Sequence, residues 1–167
     1  MILALDSMNK LSAVKITQIV EIASAKYFNY RTNIIVPNVS WGIGLRYEAD
    51  LVVLRPSGYA AEIEIKATES DIKRDKKKRF GHDGHHYRYG QLFRELWFAV
   101  PEHLVFSKSI PETAGLICVI KYKKSNIAKV VRRPKIRKSA VKWPEVLRTK
   151  LMHLGLMRIW GLKQKRI

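Results

Sequence analysis

Apolar and polar positions recur along this chain with two different periods, and the changes of period mark its elements. Between residues 12 and 28, Ile16, Val20, Ala23 and Tyr27 recur at helical spacing with Ile19 beside them, which predicts a first helix. Residues 32–36 read as a strand that ends at Pro37, and Trp41-Gly42-Ile43-Gly44 as a flexible connection. Two strand-like runs follow, residues 45–54 and residues 59–66. They are joined by Arg55-Pro56-Ser57-Gly58, a turn with proline early and glycine late. A helix is expected from Glu69 through the basic stretch beyond it. Short strands are expected over residues 96–100 and 115–122, with a short helix opened by Pro101 between them. Trp143-Pro144 introduces a last helix whose Leu147, Leu151 and Leu154, then Met157 or Arg158, fall at helical spacing and pack on the core. Strands and helices are mixed rather than strictly alternating and no internal repeat occurs. The expected fold class is therefore α/β in the broad sense (α+β), a mixed sheet flanked by helices.

The tight turn gives the hairpin a register. With a three-residue loop, Pro56–Gly58, Asp50 falls directly across from Glu64, and such partners have Cβ atoms about 4.5–5.5 Å apart. The strand period of two puts Glu62, Glu64 and Lys66 on one face and Ala61, Ile63 and Ile65 on the other. The apolar face is expected on a helix and the polar face along a cleft. Two facing carboxylates repel each other and need a cation. Lys66 supplies part of the compensation. A Mg²⁺ or Mn²⁺ ion would supply the rest, since oxygen donors at this density suit hard cations.

Charge changes what that cleft would act on. The 167-residue chain carries a formal net charge of +18, so its natural counterpart is a polyanion. Six of the seven residues from Lys73 to Arg79 are basic, and residues 121–150 hold twelve Lys/Arg against one acid, Glu145. Salt-sensitive and largely sequence-independent affinity for nucleic acid follows. Trp143, Trp160 and Tyr122 are available to stack on bases, although Trp143-Pro144 is better explained as a helix start. The hydrophobic fraction of 47% is that of a globular domain, not of a disordered basic tail. Cys118 is the one cysteine, so no internal disulfide or cysteine zinc cluster is expected, and its apolar surroundings make it a buried strand residue. No apolar run approaches the ~18 residues of a membrane span. The stretch from Met1 to Asp6 is too short and too soon acidic for a secretory signal, so the expected location is intracellular, in the cytoplasm.

Asp50 with Glu64-Ile65-Lys66 resembles the core motif of the PD-(D/E)XK nuclease superfamily. The ordered blocks Glu62 to Lys66, Ser70 to Lys76 and Leu96 to Pro101 are similar to its MmcB-related DNA repair proteins, over roughly residues 12–125. The chain departs from that pattern between Lys76 and Leu96, where a His-, Gly- and Arg-rich segment replaces a Trp followed by a short Tyr-containing helix. It also lacks a proline before Asp50. The resemblance implies a restriction-endonuclease-like core in the order αβββαβ, taken as residues 1–125; charge and helical spacing make residues 126–167 a basic extension whose helix packs on that core. It further implies metal-dependent hydrolysis of DNA phosphodiesters in repair, recombination or phage DNA processing. Asp50, Glu64 and the Ile65 backbone carbonyl would be ligands of Mg²⁺ or Mn²⁺. Lys66 would orient or activate the attacking water. Glu21 is the candidate for the first-helix acid that often completes such sites. The alternative is a non-catalytic basic nucleic-acid-binding protein that keeps the nuclease fold. A ribosome-associated RNA-binding protein would explain the charge but leave Asp50, Glu64 and Lys66 as coincidence.

Contacts to nucleic acid are expected from Lys73, Arg74, Lys76, Lys77, Lys78 and Arg79, which directly follow the motif. The segment from His82 to His86 has the spacing of no standard zinc site. Its role would be a loop over the cleft, with His85 or His86 touching phosphate or helping to protonate a leaving group. Gln91 is a candidate substrate contact. The expected partner is DNA, with RNA left open and no membrane. A homodimer is a further expectation, since many nucleases of this kind pair to cut both strands.

Overall fold

The computed structural model of the chain describes residues 11–40, 42–45, 47–80 and 91–165, and of residues 75–80 the backbone alone. Its first helix, α1 (Ala13–Tyr27), starts at Ser12, whose side chain accepts from the Lys15 amide, and ends before Asn29, which takes the left-handed conformation at φ 55. Three antiparallel strands follow: β1 (Ile34–Val39), β2 (Ala49–Leu54) and β3 (Ala60–Ile65). Helix α2 (Glu69–Phe80) then crosses to β4 (Phe93–Pro101), which lies parallel to β3. A 3-10 turn (Glu102–Leu104) leads on to β5 (Gly115–Tyr122), parallel to β4, and β6 (Ser125–Arg132) returns antiparallel. The chain closes with α3 (Glu145–Gln164). The six strands form one mixed sheet in chain order, and the first six elements follow the expected αβββαβ order.

Strand periodicity divides the core in two. Ala61, Ile63 and Ile65 share one face with Leu51, Val53, Trp97, Ala99, Ile117 and Val119, and α1 covers it with Ile16, Val20 and Ala23. On the opposite face, Trp143 and Leu151 cover Val52, Leu54 and Ala60 at one side of the sheet. Ile72 and Leu104 cover Leu96, Phe98 and Val100 at the other. Glu62, Glu64 and Lys66, which β3 presents to this second face, run between those two apolar clusters. Gly115 makes the Trp97 packing feasible: a Cβ there would sit 2.3 Å from the indole ring.

Three local expectations change. Pro37 does not end β1 but lies inside it, paired with Leu51. β1 is an edge strand, where a residue without an amide hydrogen leaves no ladder bond unmade. The glycine connection is ordered around a core residue, with Gly42 and Gly44 both at φ 85 and Ile43 buried between them. Residue 125, expected to close the core, is the first residue of β6, so the sheet continues into the basic segment. Cys118 is buried in β5, where burial pushes its thiol pKa up to about 11. Among the described residues no helix is long and apolar enough to cross a membrane.

Candidate active site

The β2–β3 hairpin has the register its loop length demands. Leu51 pairs with Ile63, Val52 with Glu62, Val53 with Ala61 and Leu54 with Ala60. At the turn, the Gly58 amide donates to the Arg55 carbonyl at 2.9 Å and the Arg55 amide to the Tyr59 carbonyl at 3.0 Å. Gly58 sits at φ 88, the left-handed position that closes a three-residue hairpin loop.

At its other end the hairpin opens. The alternation of an antiparallel ladder would next join the Ile65 amide to the carbonyl of Ala49. Instead the Ile65 amide donates to Asp50 Oδ2 at 2.7 Å. The carboxylate thus takes the place of a main-chain acceptor and the ladder stops at Leu51. The Lys66 amide turns the other way, to the Ala99 carbonyl of β4. In extended backbone the amide and carbonyl of one residue point to the same side, so the Ile65 carbonyl faces the side on which Asp50 lies.

Three side chains converge on this opening. Lys66 Nζ lies 2.7 Å from Glu64 Oε2 and 3.8 Å from Asp50 Oδ2. The two-residue period of β3 makes Glu64 and Lys66 neighbours on one face, and the hairpin register brings Asp50 to them. The cluster is closed on one side and open on the other: the side chains of Glu64 and Lys66 are 6% and 10% exposed, that of Asp50 34%. One residue pair deeper, Glu62 is also buried, between Val52 and Leu96 on the neighbouring strands. Its alternation with Glu64 and Lys66 was the sequence signal that it shares their face.

Glu21 of α1 feels the same charge. Its carboxyl pKa is raised above the ordinary value, first by burial and then by the Asp50 carboxylate. Among the described residues, however, no group of three or more His, Cys, Asp or Glu side chains is arranged to hold a metal ion, so Glu21 is not brought into a ligand set with Asp50 and Glu64. The donors that share one neighbour are the Asp50 and Glu64 carboxylates, both within 4 Å of Lys66 Nζ, and strand geometry turns the Ile65 carbonyl toward the Asp50 side. All are oxygens, and they fit a hard divalent cation in chemistry and net charge.

The expected contact residues are divided. Lys73 and Arg74 are exposed on α2, just past the cluster, with Arg74 Nη2 on Asp71 Oδ1 at 2.8 Å. The side chains of Lys76, Lys77, Lys78 and Arg79, and His85 and His86 entirely, lie outside the described residues. Gln91 is not brought to the cluster. It precedes β4, and the parallel register sets the start of β4 beside Ala60 while Glu64 pairs with Phe98, so Gln91 belongs to the turn end of the sheet. Trp143 is not available to stack on a base. It is buried, and its indole Nε1 donates to the Leu92 carbonyl at 2.7 Å. Tyr122 and Trp160 are exposed.

No protein-family model and no curated protein matches the chain. Among solved structures it is similar to the SPO1766 protein of unknown function from Silicibacter pomeroyi, with a TM-score of 0.61 and 19% identity over 93% of this chain and 91% of that one. A likeness at that identity extends to the fold.

Proposed function

We propose that the protein is a metal-dependent DNA nuclease that hydrolyses phosphodiesters endonucleolytically. The observation that carries this reading is the meeting of Asp50, Glu64 and Lys66 where the β2–β3 ladder opens, on a chain of net charge +18. Asp50, Glu64 and the Ile65 carbonyl would hold Mg²⁺ or Mn²⁺. When bound, such an ion lowers the pKa of water and neutralises charge on a transferring phosphoryl group. Lys66 places a positive charge beside the carboxylates, where it orients a water and offsets the charge that develops on phosphate oxygens. The Ile65 amide fixes Asp50, so its carboxylate is positioned before a ligand arrives. The resemblance of the motif to the PD-(D/E)XK nucleases supports the same reading, in which the substrate would be DNA in repair, recombination or phage DNA processing.

One observation favours the alternative, a basic nucleic-acid-binding protein that keeps the fold without catalysis. Glu64 is nearly sealed and already neutralised by Lys66 at 2.7 Å. A single assay separates the two. Plasmid and single-stranded DNA are incubated with the protein in Mg²⁺, Mn²⁺ or EDTA, beside Asp50→Ala and Lys66→Ala. Cleavage that needs metal and falls by about 10²–10³ in both variants, the usual cost of removing a charge-stabilising group, supports the nuclease. Binding without cleavage under any metal supports the alternative.

A further inference from the structure

The other end of the same hairpin carries a second surface. After β6 the chain crosses the start of the sheet as a strap, residues 133–142, pinned by its own backbone. The Lys135 amide donates to Thr113, Arg137 to Arg94 and Val141 to Gln91, at 2.8, 3.0 and 2.9 Å, and the Trp143 amide then donates to Gly58 at 2.8 Å. Residues 121–144 contain ten Lys/Arg and no Asp or Glu. Some of these cations, and others nearby, are committed to the protein itself. Arg132 binds the Ala114 and Pro111 carbonyls, Arg148 the Trp143 carbonyl, and Arg55 both carboxylate oxygens of Glu95. Arg133, Lys135, Lys138 and Lys142 are exposed, and among the described residues no carboxylate pairs with them. Arg94 and Lys142 are gathered over one ring, at 4.2 and 5.8 Å from the centroid of Tyr59.

Beside the strap opens a cavity of about 630 Å³, lined by Arg133, Pro134 and Ile136 of the strap, by Tyr27, Asn33 and Trp97, and by the Arg55–Glu95 ion pair. Its aromatic wall is a packed cluster: Phe28 stands edge-on to Tyr27 at 5.0 Å and to Trp97 at 5.6 Å. Phe28 and Trp97 are buried, and Tyr27, 40% exposed, is the ring that meets solvent. Apart from Arg133, its polar side chains are engaged within the protein, with Trp97 Nε1 and Arg55 on Glu95 and Asn33 Nδ2 on the Phe28 carbonyl. Such a wall offers stacking rather than hydrogen-bond readout.

We propose that the strap and this cavity bind single-stranded DNA, its phosphates on Arg133, Lys135, Lys138 and Lys142 and an unpaired base against Tyr27. The proposal rests on the reading of the substrate as nucleic acid and adds strand preference to it. A duplex holds its base faces inside the stack and is too wide for the cavity. A single strand presents a charged backbone and free base faces, which are the two things this surface takes. The strap lies about 20 Å from Lys66, the length of a six-residue strand at about 3.3 Å per residue, so its contribution is separable from that of the cluster.

The test is fluorescence anisotropy of the full chain in EDTA, which removes cleavage from the measurement. It uses a labelled single strand of about 20 nucleotides, enough for at least one site on the usual scale, and the matching duplex. The single strand is expected to bind about tenfold tighter or more at equal salt. The triple variant Arg133→Gln/Lys135→Gln/Lys138→Gln, all surface positions, should weaken it about tenfold and flatten the slope of log K against log salt by about 2, at about 0.7 per lost contact. Tyr27→Ala should weaken binding by about tenfold with the slope unchanged, and Tyr27→Phe should retain it. The proposal is overturned by equal or tighter duplex binding, by a triple variant that binds like the wild type, or by Tyr27→Phe falling as far as Tyr27→Ala. A protein that cuts DNA while its triple variant binds unchanged loses the strap alone. One that binds through the strap but leaves DNA uncut in Mg²⁺ and in Mn²⁺ loses the nuclease alone.

Discussion

The two ends of the β2–β3 hairpin handle charge in opposite ways. At the opening end, carboxylates are drawn inside and matched at once: Lys66 Nζ stands within 4 Å of both Glu64 and Asp50, and the Ile65 amide holds Asp50. At the turn end, cations crowd the surface of the strap and no described carboxylate answers them. Sequence distribution supports the division. Seven of the 14 acids fall in residues 48–75, while residues 121–144 have none. The difference follows from burial. A charge taken out of water is tolerated only with a partner and hydrogen bonds, so the opening end has to be built as a set. A solvated charge needs no partner, so like charges can accumulate and project a field. The first arrangement suits chemistry at one point and the second attraction along a chain.

The comparison is tested most severely by removing what fixes each end. At the turn end that is Trp143, buried in the core with its backbone on Gly58 and its indole on Leu92. Trp143→Ala should cost about 3–5 kcal/mol in a urea melt, the usual range for a large buried ring. A loss under about 1 kcal/mol would mean that the strap is held by something else. At the opening end, Lys66→Met leaves the Glu64 carboxylate buried without its ammonium and should cost about 3 kcal/mol. The double change Glu64→Leu/Lys66→Met should recover most of that loss, because an apolar pair of similar volume replaces the ions. No such recovery is expected at the turn end, where Lys135→Gln and Lys138→Gln should each move stability by less than about 0.5 kcal/mol. Recovery failing at Lys66 would show that the cluster is not an isolated acid–base set.

How far each end was legible in the sequence has a physical cause. The hairpin register was readable because Pro56 and Gly58 fix the loop and the period of two fixes the faces. The packing of Ala61, Ile63 and Ile65 under α1 followed from it. The role of Asp50 as acceptor for the Ile65 amide was not readable, because pairing rules describe a ladder that continues and not where it stops. Pro37 misled because its cost depends on whether a neighbouring strand lies beyond β1, which is a property of the sheet. The distance of Gln91 from the Asp50–Glu64–Lys66 cluster was not readable, because the parallel β3–β4 register depends on where β4 begins, after a long connection. β6 was hard to see because its eight residues, Ser125 to Arg132, show no clean alternation and are only partly buried, and basic residues flank them on both sides, so the strand resembles a charged loop.

The smallest expected effect probes the residue that belongs to neither end's backbone yet reports on one of them. Glu21 has its pKa raised by burial and by Asp50, so the folded protein keeps the Glu21 proton at pH values where the unfolded chain has lost it. Its favourable contribution is complete below the ordinary value of 4.5 and is lost as pH rises through the raised one. Stability of the wild type should therefore fall across that window, and Glu21→Gln should flatten this part of the curve and raise the thermal midpoint at neutral pH. Millimolar Mg²⁺ should reduce the same difference, because a cation at Asp50 and Glu64 removes part of the repulsion that raises Glu21, whereas Arg133→Gln/Lys135→Gln/Lys138→Gln should leave it in place. A pH–stability curve of Glu21→Gln that overlays the wild type, with and without Mg²⁺, would mean that Glu21 does not sense the cluster. The opening end would then consist of Asp50, Glu64 and Lys66 without help from the first helix.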